Sequence, residues 1–228
     1  IGREIALLCA AEGAKVVVND PGGAADGGGS SAAPAEEVVE EIKKRGGTAV
    51  ANFESVAEAI PASRIVKTAT DHFGRLDGVV NNAGILRDMI FHKMSVEAFE
   101  AVIKVHLMGS FYVSHAAARI YREQEQGSFV HFTSTSGLIG NYGQANYAAA
   151  KAGLVGMSKS LAQEVATRGI TVNVVAPGFV QTAMTDALGE AQRAKLLERI
   201  PSGRMGKPED IAAAVAEQSA DIRVDGAS

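Results

Sequence analysis

Short apolar runs alternate with longer stretches of helical periodicity along most of this chain. Ile5 to Ala11 has apolar residues at helical spacing, and Lys15 to Asn19 (KVVVN) reads as a short strand. A loop rich in glycine, serine and alanine follows from Pro21 to Pro34. Ala35 to Arg45 predicts a helix with one charged face, stopped by Gly46-Gly47. Thr48 to Asn52 predicts a strand. Pro61 to Phe73 predicts a helix with proline in its first turn, and Gly78 to Asn81 (GVVN) a further buried strand. Ser95 is placed to cap a long helix that reaches Arg122, with Glu97 and Glu100 in its early turns. Ser128 to Thr133 predicts a strand, Asn146 to Thr167 a helix and Thr171 to Ala176 a strand, and Pro208 opens a last helix.

Short apolar strands separated by helices predict a parallel sheet covered on both faces. With right-handed crossovers the fold class is α/β, a doubly wound parallel sheet. No internal repeat or second domain is visible, so residues 1–228 read as one domain. At 46% apolar and 21% charged residues, the composition is that of an ordinary globular protein. The net charge of −4 argues against a nucleic-acid or membrane surface. No apolar run approaches the roughly 20 residues of a membrane span. A single cysteine, Cys9, rules out a disulfide within the chain and reads as a small core residue. The five histidines lack the spacing of a metal site, so no metal is expected.

The chemistry concentrates in S-x12-Y-x3-K, formed by Ser134, Tyr147 and Lys151 within FTSTSGLIGNYGQANYAAAKAG. Tyr147 and Lys151 lie four apart on a predicted helix and so share a face. A nearby cation favours tyrosinate, which would bring the phenol's proton exchange closer to neutral pH. Ser134 ends a predicted strand, where it could hold a substrate oxygen. Asp20 follows the KVVVN strand, where a dinucleotide-binding unit sets a carboxylate against the adenosine ribose. Such a carboxylate accepts from both ribose hydroxyls and repels a 2′-phosphate, favouring NAD over NADP. The alternative is a turn-forming aspartate before Pro21-Gly22.

Together with NNAG (Asn81 to Gly84) and Pro177-Gly178 followed by Thr182, these residues resemble the short-chain dehydrogenase/reductase family over nearly the whole chain. VVVNDPGG, the ESV of Glu54 to Val56, NNAGILRD and KVHLMGSF resemble the hydroxyacyl-CoA dehydrogenase domain of peroxisomal multifunctional enzymes. The stretch from GQANYAAAKAG to QTAMT, with the later IPSGRMGKPEDIAAAVA, resembles bacterial 3-oxoacyl-(acyl-carrier-protein) reductases. The resemblance implies an NAD(P)-dependent oxidoreductase acting on a secondary alcohol or ketone, most simply a 3-hydroxyacyl or 3-oxoacyl thioester. It implies Tyr147 as general acid/base, Lys151 as the cation that tunes it and binds the nicotinamide ribose, and Ser134 as the group orienting the substrate oxygen. Asn81, Asn82, Ala83 and Gly84 would line the cofactor and steady the sheet, and Glu54, Ser55 and Val56 would border the adenine. Pro177, Gly178, Val180 and Thr182 would lie along the nicotinamide. A homotetramer or homodimer through helices 96–122 and 146–167, and a cytoplasmic location, are also implied.

Three departures from the family pattern bear on this reading. The family has a strand and T-G-x-x-x-G-I-G before its first helix, whereas this chain opens at Ile1-Gly2, the last two residues of that motif. The first strand and most of the phosphate loop are therefore expected to be missing, with Gly2 the remaining phosphate-side contact. A fragment of a longer protein, or a truncated and inactive binding or subunit module, would each account for this. At the other end, Asp221 to Gly226 resembles the family's final strand after a shortened connection. In the site, His106 stands where the family carries an asparagine that holds a relay water. The histidine could hold that water, or it could be a helix residue satisfied by a backbone carbonyl.

Overall fold

A computed structural model describes residues 1–23, 26–29, 31–181, 197–198 and 200–219. Thr182 and the Asp221 to Gly226 segment lie outside the described residues. The elements alternate as expected. Helix α1 (Gly2–Ala11) leads to β1 (Lys15–Asn19), α2 (Ala33–Lys44) to β2 (Thr48–Asn52), and α3 (Ala59–Phe73) to β3 (Gly78–Asn81). After α4 (Val96–Ile103) and α5 (Gly109–Gln124) come β4 (Gly127–Phe132), the short α6 (Thr135–Ile139), α7 (Ala145–Val165), β5 (Ile170–Val175) and α8 (Pro208–Ser219).

The single long helix expected over 96–122 is interrupted. Lys104–Met108 form a turn of π-helix between α4 and α5. Such bulges admit an extra residue and re-aim a side chain, and this one carries His106. Its start is as the sequence predicts, since the Ser95 side chain accepts from Ala98 N at 3.1 Å.

All paired strands are parallel, but they form two sheets rather than one. β1 pairs with β2, and β3, β4 and β5 pair in that order. Among the described residues no strand bridges β1 and β3, whose facing edges border a cleft. The doubly wound layering is present, with the strands in two sheets separated between β1 and β3. One face of the β3–β5 sheet packs Val79, Phe129 and Ile170 against Ala62, Val66, Val113, Ala117 and Tyr121 from α3 and α5, with Val165 from α7. On the opposite face Val130 and Phe132 meet Ile5 of α1 and Ala212 and Val215 of α8. Cys9 joins that second cluster as a partly buried residue, and burial raises its thiol pKa, in keeping with a packing role. No described helix is long and apolar enough to cross a membrane.

β4 is buried at all of its positions, and its first residue shows how tightly it is packed. A Cβ on Gly127 would lie 2.3 Å from the ring of Tyr121, which is itself fully buried. Gly156, in α7, has nothing within 4 Å of that position. Gly127→Ala is expected to destabilise the fold by about 1–3 kcal/mol through overpacking. Gly156→Ala should stabilise it by about 0.5–1 kcal/mol through helix propensity. Urea unfolding midpoints for the two variants check both signs.

Candidate active site

Three consecutive residues at the carboxyl end of β4 hold helix α7. Phe132 offers its carbonyl to Lys151 Nζ at 2.6 Å. Thr133 donates its hydroxyl to the Lys151 carbonyl at 2.8 Å. His131 Nδ1 lies 2.8 Å from the Ser158 hydroxyl. Gly137 closes the gap, since a Cβ there would sit 2.7 Å from Lys151 Cβ. These contacts bring the predicted trio together. Ser134, which caps α6 by accepting from Ser136 N at 3.2 Å, stands close enough to the Tyr147 phenol to lower its pKa. Lys151 Nζ lies over the Tyr147 ring, 5.5 Å from its centroid.

The electrostatics differ from the sequence expectation. The Tyr147 phenol is pushed above its usual pKa, chiefly by burial; the Ser134 hydroxyl opposes this and the Asp88 carboxylate adds to it. The expected lowering by Lys151 fails because the ammonium is turned to the Phe132 carbonyl and faces the ring rather than the phenol oxygen. Burial also lowers the Lys151 pKa, to about 8. The site therefore holds a protonated phenol at neutral pH.

His106 is buried against this group. Its ring meets Tyr147 edge-on, with centroids 5.1 Å apart. Nε2 lies 2.8 Å from the Ile85 carbonyl, while Nδ1 is buried without a partner. The backbone-carbonyl reading is thus realised for one ring nitrogen, and the other is left open. Gly84 is needed here, because a Cβ would stand 2.3 Å from His106 Cε1.

The candidate cofactor residues fall into two groups. Gly2, Asp20, Ser55, Val56, Asn81, Ala83 and Gly84 all line the cleft of about 2120 Å³ between β1 and β3. Glu54, Pro177, Gly178 and Val180 do not. The Glu54 carboxylate is occupied by a two-pronged pair with Arg64 at 2.6 and 2.9 Å, which lowers its pKa. Val180 is buried, in a bridge to Gly206. Asp20 Oδ1 accepts from Gly22 N at 2.7 Å, so the turn reading is realised, and its other carboxylate oxygen has no hydrogen bond among the described residues. Asn81 turns its side chain inward, donating to Ser114 Oγ at 3.0 Å, so it steadies the sheet. The lining suits a nucleotide: Gly2 lies against the Asn82 side-chain amide, and one Asp20 carboxylate oxygen has no hydrogen bond among the described residues.

One buried network was not anticipated. His131, fully buried, bridges Ser158 on α7 and Ser114 on α5, with Nε2 at 3.0 Å from Ser114 Oγ. Ser158 donates to the Leu154 carbonyl, so it accepts from Nδ1–H. Nε2 is then the acceptor for the Ser114 hydroxyl, whose own lone pair takes the Asn81 amide. The chain of bonds requires a neutral imidazole. A histidine inside the mostly apolar GSFVHF strand was the available signal, because a buried polar group implies partners.

A family profile described as enoyl-(acyl carrier protein) reductase matches residues 1–217. A short-chain type dehydrogenase/reductase of Mycobacterium tuberculosis is 51% identical over 185 residues, 81% of this chain and 64% of the relative. The chain thus spans just under two thirds of that relative. A 3-oxoacyl-(acyl-carrier-protein) reductase of Synechocystis is 42% identical over 215 residues, 94% of this chain and 83% of the relative. The peroxisomal hydratase-dehydrogenase-epimerase of Saccharomyces cerevisiae is 48% identical over 186 residues, 82% of this chain and 20% of that protein. The chain belongs to the short-chain dehydrogenase/reductase family, NAD(P)-dependent oxidoreductases acting on CH–OH groups.

Burial lowers the His106 and His131 pKa values to about 4, and Lys151 adds to the effect. The unfolded chain binds these protons from about pH 6.5 downward, whereas the folded chain refuses them until about pH 4. Their contribution to stability is complete above pH 6.5 and is lost as pH falls toward 4, by about 3 kcal/mol for each histidine. Urea titrations at pH 7.5 and pH 4.5 should show this loss, and His131→Asn should shrink it. Equal midpoints at the two pH values would refute it.

Proposed function

We propose that this chain interconverts 3-hydroxyacyl and 3-oxoacyl thioesters, with NAD preferred over NADP. The observation that carries the chemistry is the Ser134–Tyr147 hydroxyl pair, with Lys151 held beneath the phenol ring. The names of the Synechocystis and yeast relatives support the thioester class. Hydride exchange at the substrate carbon is the chemistry a bound nicotinamide supplies.

The residues present divide the remaining work. Ser134 donates to the substrate oxygen and steadies charge that develops there. Tyr147 transfers the proton: to the ketone oxygen in reduction, and from the hydroxyl in oxidation. The raised phenol pKa keeps that proton in place at neutral pH, the state needed for reduction. Lys151, freed from the Phe132 carbonyl, would meet the ribose hydroxyls and bring its charge toward the phenol oxygen. The open His106 Nδ1 would hold a water that returns the proton to solvent. Asp20, Ser55, Val56, Asn82, Ala83 and Gly84 would border the nucleotide from the cleft, with Gly2 toward its phosphates. Pro177, Gly178 and Val180 would follow along the nicotinamide, with Glu54 acting through its backbone near the adenine. Exposed Val96 and Phe111, on α4 and α5, support an oligomer through those helices. The cytoplasm is the compartment proposed for this enzyme.

Tyr147→Phe should lower turnover of a 3-oxoacyl thioester by about 10²–10⁴-fold. The same variant should keep NADH affinity, read by fluorescence titration, within about threefold of the parent. Asp20→Ala should erode the preference for NADH over NADPH by about tenfold. Unchanged turnover in Tyr147→Phe would sink the proton-transfer role, and NADPH preferred by the parent protein would sink the Asp20 assignment.

A further inference from the structure

Side-chain hydrogen bonds join α7 to β4 and the residue after it at two levels. The first is at Lys151, through Phe132 and Thr133. The second lies two turns further along the helix, where His131 Nδ1–H donates to Ser158 Oγ at 2.8 Å. Both residues are buried, and Ser158 is tied in turn to the Leu154 carbonyl at 2.7 Å. An apolar pair could fill this space, since replacing both bonded partners by apolar groups of the same shape changes stability little. What the bonded pair adds is direction. Apolar packing holds strand and helix together but is non-directional, so it resists slides and rolls of the helix weakly.

We infer that His131 is a positioning residue for the reaction: through Ser158 it fixes the tilt of α7 on β4, and so sets Tyr147, on the helix, against Ser134, just beyond the strand. The inference rests on the proton-transfer role proposed above for Tyr147. Tyr147 lies four residues before Lys151 and Ser158 seven after it. These are about 6 Å and about 10 Å along the axis, on opposite sides of the Lys151 attachment. A helix held to β4 at Lys151 alone can pivot there. A displacement of about 1 Å at Ser158 then moves Tyr147 by about 0.6 Å the other way. Asn146 also anchors the start of α7, but to the carbonyls of Arg87 and Ala98, neither of which belongs to β4. The His131–Ser158 bond is therefore what refers the far end of the helix to the strand that leads into Ser134. The other side of the imidazole faces away from α7, through Ser114 on α5 to Asn81.

His131→Ala would open a cavity in the core, so the test removes one oxygen instead and compares Ser158→Ala with Ser114→Ala in the full chain. Each deletes a buried hydroxyl bonded to the same imidazole, and only the first detaches α7. With a 3-oxoacyl-CoA thioester at saturating NADH, Ser158→Ala should lower kcat by about tenfold, because a misplacement of about 1 Å can cost up to about 100-fold. Its KM for the thioester should stay within about threefold of the parent, and so should the kcat of Ser114→Ala. A second readout needs no substrate. In protein labelled at the tyrosine Cζ carbons, the Tyr147 NMR resonance, assigned with Tyr147→Phe, should be displaced in Ser158→Ala and coincide with the parent in Ser114→Ala. Equal effects of the two substitutions would overturn the inference, since a purely structural role serves both hydroxyls alike. Parental kcat in Ser158→Ala overturns it as well. If the parent protein turns over no 3-oxoacyl thioester, the thioester reading fails, and the Tyr147 resonance alone decides whether His131 positions the helix.

Discussion

The buried ammonium of Lys151 is the constraint around which the site is arranged. A charge removed from water is costly unless it is paired or strongly hydrogen-bonded. Lys151 is 4% exposed and has no carboxylate partner among its described contacts. What stabilises it is the Phe132 carbonyl, the face of the Tyr147 ring and a lowered pKa that eases loss of the proton. Each requires β4 and α7 to lie at a fixed separation. Gly137 permits that separation, Thr133 locks the Lys151 backbone to it, and the His131–Ser158 bond repeats the attachment two turns further along the helix.

Low polarity around that lysine has opposite consequences for its neighbours. It keeps His106 and His131 neutral, which the directional bonds of His131 require. It also raises the Tyr147 phenol pKa, so the phenol keeps its proton and is a weak acid. A weak acid is a poor proton donor until charge builds on the acceptor. In the reaction proposed above, an oxygen placed between Ser134 and Tyr147, and a ribose that draws Lys151 off the Phe132 carbonyl, would move the phenol toward ionisation only when substrate and cofactor are in place.

Much of this was legible in the sequence because it is local. The strand and helix order follows from apolar periodicity, Ser95 announces its helix, and the four-residue spacing of Tyr147 and Lys151 sets them on one face. What escaped was decided by distant contacts or by the backbone. The Lys151 ammonium chose a main-chain carbonyl that no sequence pattern identifies, which reversed the expected effect on Tyr147. The pairing of the Glu54 side chain with Arg64, ten residues on, has no local signature either. The π-turn at Lys104–Met108 lies inside an uninterrupted helical pattern, so periodicity reads straight through it. The turn reading of Asp20 is realised through Gly22 N, and the proposed ribose contact is left to its other carboxylate oxygen.

The cleft between β1 and β3 changes character along the strand direction, and that gradient assigns its parts. At its carboxyl end stand Asn19, Asp20, Asn81 and Asn82, with the small residues Ala83 and Gly84. Deeper, between the strands, the lining is Val16, Val17 and Val18 on one side and Val79 and Val80 on the other. A ligand with phosphates and ribose hydroxyls finds partners only at the polar end, where ligands of open α/β sheets gather. The deep part offers apolar side chains and backbone edges of two strands that pair with no strand there among the described residues, groups that are satisfied by another backbone or by water rather than by a nucleotide. At about 2120 Å³ the cleft exceeds the few hundred to 1,000 Å³ of ordinary ligand pockets, which is what two such regions joined end to end would give. The polar mouth is therefore the part of the cleft suited to the proposed nucleotide, and it lies beside Gly84, whose close approach to His106 connects it to Tyr147.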